Sequence, residues 1–104
     1  MTSESTNERI CIFFDSILEN MPTAIDTDNI LEQKFLISNL EKRIYNFRAR
    51  LTSLSKYISR EEYISYLKIQ IVIMKMLFII HAYISNFLKY GTTSIPEITK
   101  ILSK

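Results

Sequence analysis

His81 is the only histidine in the 104 residues and Cys11 the only cysteine, so nucleophilic or general-base chemistry would have to pass through these two side chains. By type they make a Cys/His pair; by position both read as packing residues. Cys11 sits beside the apolar face of the first helical pattern, where a thiol behaves as a small hydrophobe. His81 falls on an apolar row, where a hydrogen-bonded packing imidazole is expected. One His and one Cys do not complete a tetrahedral zinc site, and no ligand spacing accompanies them. Glu61 and Glu62 are adjacent in what reads as the first turn of a helix, so their side chains diverge and suit the helix dipole better than shared proton transfer. With Gly91 as the single glycine, the chain has no loop that could cradle a phosphate. The expectation is a non-enzymatic protein with no cofactor and no metal.

The elements that position these residues are helical. One Gly and two Pro against 47% hydrophobic residues leave few places for hairpin turns and favour long helices. From Arg60 to Tyr90, the residues Tyr66, Ile69, Ile73, Met76, Ile80, Tyr83, Phe87 and Tyr90 recur at alternating spacings of three and four, which places them on one seam. A second row, Ile64, Leu67, Ile71, Met74, Phe78, His81, Ser85 and Leu88, lies about a third of a turn away. Glu61, Lys68, Lys75, Ala82 and Lys89, seven apart, make the only stripe that looks solvated. A helix with one narrow polar line is expected to be packed on at least two sides.

Upstream, Ile10, Phe13, Phe14, Ile17, Leu18 and Met21 recur at helical spacing between a capping box, Ser5 with Glu8, and the stop at Pro22; Met1 to Glu4 should fray. Asp28 or Asn29 can cap the next helix, with Glu32 completing a box from Asn29. There Ile37, Leu40, Ile44, Phe47, Leu51, Leu54 and Ile58 repeat at three and four without a miss. Ser59 with Glu62 makes a further box between two long helical patterns with no Gly or Pro to mark a loop, so the two either part at a tight turn at Tyr57 to Arg60, which the phase of the seams favours, or run on as one rod of about sixty residues. Gly91 suits a left-handed cap, and Ser94, Pro96 and Glu97 open a short terminal helix with Ile95, Ile98, Ile101 and Leu102 on one face. The fold expected is all-α, a small bundle of three main helices at about 6–20, 30–57 and 60–90 plus a short C-terminal helix at about 95–102, in a single helical domain over 1–104.

Charge is segregated although the net is only +2. Seven acids and one base fall in residues 1–33, whereas residues 42–60 hold the bases Lys42, Arg43, Arg48, Arg50, Lys56 and Arg60 and no acid. The two halves are expected to face each other in the folded chain; a basic surface for nucleic acid is the sharper alternative. A membrane span is a third reading, since fifteen of the twenty residues from Ile69 to Leu88 are apolar and about 20 residues cross a bilayer. Lys75 near its middle argues against it, at a cost of about 2.5–3.5 kcal/mol. A lone cysteine and an acidic, polar start point to an intracellular protein of cytoplasm or nucleus.

Lengths supply the functional expectation. The third helix spans roughly 46 Å, and the first and terminal helices together are too short to cover what the second leaves open. Exposed contiguous apolar surface marks an interaction site, so the chain reads as a structural or adaptor subunit that docks other helical chains, identical or different, with Tyr66, Ile69, Ile73, Met76, Ile80, Tyr83, Phe87 and Tyr90 as the interface candidates. The run Arg48-x-Arg50-Leu51, Lys56-Tyr57, then Ser59-Arg60-Glu61-Glu62 opening a long helix resembles the helical domain of GINS replication-complex subunits. This chain lacks room for the β-rich domain of that family, and no site residue is carried over from it.

Overall fold

The computed structural model describes residues 2–91. They form three α-helices, α1 (Ser3–Glu19), α2 (Ile30–Leu54) and α3 (Arg60–Tyr90), with single 3-10 turns at Thr27–Asn29 and Ser55–Tyr57. No strand occurs among the described residues, and the all-α bundle of three main helices is the observed architecture. The terminal helix expected at about 95–102 lies outside the described residues.

The α2–α3 turn forms as its sequence predicts. Ile58 (φ −130°, ψ 165°) and Ser59 (φ −71°, ψ 162°) are extended and break the rod. Ser59 Oγ accepts from the Glu62 N–H at 3.1 Å, while Glu62 Oε1 accepts from the Ser59 N–H at 2.8 Å, so two otherwise orphaned donors are satisfied reciprocally. At the far end Gly91 adopts φ 69° and donates its N–H to the Phe87 carbonyl at 2.7 Å, the left-handed ending that a residue without Cβ adopts freely.

Two other caps differ from expectation. α1 begins at Ser3, not at about residue 6, because Thr2 Oγ1 accepts from the Ser5 N–H at 3.1 Å. Starting one turn earlier also buries Thr6, whose hydroxyl donates to the Thr2 carbonyl at 2.8 Å, and it leaves Ser5 and Glu8 inside the helix. At α2, Asn29 makes no capping bond. Asp26 takes the role one turn upstream: its carboxylate accepts from the Asp28 and Asn29 N–H groups and from the Asn29 side-chain amide, so the Asn29 side chain is already engaged.

α2 is the spine. Ile37, Leu40, Ile44, Phe47 and Leu51 are buried, with Leu54 and Ile58 packed against the same core, as their unbroken spacing predicts. α3 returns along α2, with Glu41 meeting His81 and Ile44 meeting Gln70. α1 runs in the direction of α3: Asn7 bonds Glu62 and Tyr66 near its start, and the linker from Pro22 to Ile25 lies by Ile80 and Tyr83. Ile10, Phe14 and Ile17 are its buried residues besides Thr6. Phe13 stacks on Phe47 (centroids 4.1 Å apart, planes at 16°), Phe14 meets Phe47 edge-on at 5.4 Å and lies 6.1 Å from Tyr66. These rings join all three helices, in a body 50 × 28 × 19 Å across.

The acidic and basic halves meet where α1 packs on α2, but no acid–base side-chain contact joins them among the described residues. Among the described residues the one basic side chain in contact with a carboxylate is His81, on Glu41. Arg43 does reach α1, but through the Ser16 hydroxyl at 3.2 Å and the face of Phe13 at 5.8 Å. Long basic side chains on an exposed helix gain little from fixed pairing in water.

Candidate docking surface on the third helix

The residues that α3 buries identify what it leaves open. Gln70, Ile73, Leu77 and Ile84 are buried, with Tyr63, Tyr66, Ile80 and Phe87 half-buried. These eight also run at alternating spacings of three and four. They share Tyr66, Ile73, Ile80 and Phe87 with the seam expected from sequence and replace its other four members. The bundle is thus closed by the adjacent face. Of the eight interface candidates, Ile73 is in the core, Tyr66, Ile80, Tyr83 and Phe87 are half-buried, and Ile69, Met76 and Tyr90 are exposed.

Gln70 is the reason the true seam was hidden, since a polar residue interrupts its apolar pattern. Its Nε2–H donates to the Ile44 main-chain carbonyl at 3.1 Å, using the second lone pair that a helical carbonyl keeps. No fully buried side-chain nitrogen or oxygen lacks a partner among the described residues. Spending the core on this face turns the rest of α3 outward. Ile69 and Met76 are 40% exposed, Val72 54% and Phe78 61%, and Ile64, Ile71 and Leu88 are exposed too. Two apolar rows result. One is Ile69, Val72, Met76, Ile79 and Tyr83, and the other is Ile64, Ile71 and Phe78, with exposed Lys68 and Lys75 between them. Val72 carries no signal in either row expected from sequence.

Beside the second row, α2 and α3 leave an open hollow of about 350 Å³ lined by Ile44, Tyr45, Met74 and Phe78, with Glu41, Lys42 and Asn46 at its edge. His81, on this side, donates from Nδ1 to Glu41 Oε1 at 2.6 Å, a hydrogen-bonded packing role of the kind expected. Cys11 is exposed, contrary to the apolar setting expected of it. It lies beside Tyr66, whose hydroxyl is pushed above its ordinary value first by burial and then by Cys11 and Glu62. Residue 66 is fifteen positions from His81, about 22 Å along the helix, so the structure does not bring Cys11 and His81 together. Glu61 is exposed, whereas Glu62 turns back into the capping box and to Asn7. Hydrogen bonds from the Ser59 N–H and hydroxyl and from Asn7 hold the Glu62 carboxyl below its ordinary value.

The basic-surface candidates do not form one strip. Arg43 and Arg50, seven apart, border a hollow with Phe13 and Phe47 on the α1 side. Arg48 lies on the opposite edge of α2, Lys42 on its outer side, Lys56 over the Tyr57 ring at 5.1 Å, and Arg60 at the start of α3. No group of three or more His, Cys, Asp or Glu residues placed to hold a metal ion occurs among the described residues. No family model, curated protein or solved structure matches this chain.

Proposed function

We propose that this chain is a non-enzymatic structural or adaptor subunit whose third helix docks a helix of another chain. One observation supports the reading above the rest. The most apolar eighteen-residue stretch of α3 has a mean hydropathy of 1.8, yet 17% of it is buried within the chain. Val72, Met76, Ile71 and Phe78 present apolar area to water, and each fully covered side chain of this size is worth about 1.5–3 kcal/mol. A partner helix recovers that free energy; the chain's own described helices do not.

The test compares the wild-type chain with a Val72→Glu/Phe78→Glu variant in native extracts. Both sites are exposed, so the variant keeps its helicity. A helical protein retained by the wild type and lost by the variant supports the reading, and equal recovery on both overturns it.

The same stretch favours one second reading, a bilayer in place of a protein, because α3 is long and apolar enough to cross one. Lys75 stands against this, since a buried ammonium group near the middle of a span is costly. Fractionation separates the two: recovery in the membrane pellet after a high-salt wash would replace the subunit reading.

A further inference from the structure

We infer that the groove between α2 and α3 takes an amphipathic helix carrying carboxylates along both edges of its apolar stripe. The inference rests on the docking reading above and names the chemistry of the partner. Its first ground is position. α1 covers one side of the α2–α3 pair through Phe13, Phe14, Phe47 and Tyr66. On the other side lies the hollow floored by Ile44 and Met74 and walled by Tyr45 and Phe78, the place a fourth helix fills in a bundle. Ile64, Ile71 and Phe78, seven apart, extend its wall over fourteen residues, about 21 Å or four turns, which is the length of a short helix.

The second ground is charge. On α2, Lys34, Glu41 and Arg48 are seven apart and share one edge; Glu41 lines the hollow, and Lys42 stands next to it. On α3, Lys68 and Lys75 each precede a wall residue, Ile71 and Phe78, by three positions, so they flank the same row. Lys34, Lys42, Arg48, Lys68 and Lys75 are all exposed, and none is in an ion pair among the described residues. One carboxylate stands among these five cations, Glu41, which accepts a hydrogen bond from His81, and Glu61 stands at the far N-terminal end of the lysine line. Both rims of an apolar trough therefore carry cations that no carboxylate among the described residues pairs. A second copy of this chain seating its own lysine-flanked row there would bring like charges together, which the acid-edged helix avoids.

The apolar floor favours a helix over nucleic acid, and the trough shape favours it over a membrane. Two synthetic helices of about eighteen residues with one shared apolar stripe serve as probes, one edged with Glu and one with Lys, titrated by fluorescence anisotropy against the full chain. The Glu-edged peptide is expected to bind about tenfold or more tightly, the sum of several surface pairs, with the preference shrinking as salt rises. A Lys68→Glu/Lys75→Glu variant, exposed at both positions, should weaken the Glu-edged peptide and strengthen the other. Equal binding of both peptides overturns this inference and leaves the docking reading standing. Binding of neither, including the case in which only phosphatidylserine vesicles or a single-stranded oligonucleotide bind, overturns both.

Discussion

Gln70 donates its side-chain amide to the main-chain carbonyl of Ile44 across 3.1 Å, at a site 1% exposed between α2 and α3. That bond satisfies the one polar side chain that α3 buries, so the face carrying Gln70 can lie inside. Gln70→Glu places a carboxylate against a carbonyl oxygen in a buried site and should cost about 3 kcal/mol or more near neutral pH. The loss should shrink as acid protonates it. Gln70→Met keeps the volume, removes the buried polar group and should be neutral or stabilising within about 1 kcal/mol. Urea unfolding of the two variants, read at several pH values, checks both.

The two candidate seams of α3 make opposite predictions for two apolar positions. Leu77 is fully buried and Val72 exposed, so Leu77→Ala should destabilise by about 2–5 kcal/mol through transfer and cavity terms. Val72→Ala should stay within about 0.5 kcal/mol of wild type. Thermal unfolding of the isolated chain distinguishes them, and a reversed order would mean that the other face of α3 is buried.

The α2–α3 turn depends on the reciprocal pair Ser59 and Glu62. Ser59→Ala should cost about 1 kcal/mol. Because hydrogen bonds hold the Glu62 carboxyl below its ordinary value of 4.5, its contribution is full above that value and is lost as pH falls through the folded-state pKa. Glu62→Gln keeps a side-chain acceptor for the Ser59 N–H but cannot titrate, so its unfolding midpoint should fall less steeply below pH 4.5 than that of the wild type.

At the other end of α3, Gly91 sits at φ 69°, and among the described residues nothing lies within 4 Å of where a Cβ would stand. Gly91→Ala therefore meets no clash and pays only for the left-handed backbone, about 1 kcal/mol. A midpoint shift of that size in urea is the expected outcome.

How far these features could be read in the sequence follows from pattern purity. The α2 seam from Ile37 to Ile58 was legible because every member is apolar and the opposite side polar. α3 was legible as a helix, down to its Ser59 box and Gly91 ending, but not in its orientation. A helix apolar on nearly every side carries two adjacent three-four seams, and the one with Gln70 looks the poorer until Ile44 supplies a partner. The caps at Thr2 and Asp26 were missed for a related reason: several hydroxyl or carboxylate residues compete near each helix start, and tertiary burial, as of Thr6, decides among them. The exposed row through Val72 could have been found by asking which seam a buried glutamine would complete.

Among the described residues, α3 presents more apolar surface than α1 and α2 cover. Fluorescence of an apolar dye, followed as the purified full chain is concentrated in a sedimentation experiment, tests it most directly. Saturable dye binding, or self-association that displaces the dye, is the expected outcome, with both lost in Val72→Glu/Phe78→Glu. A chain that stays monomeric throughout and leaves the dye dark would contradict it.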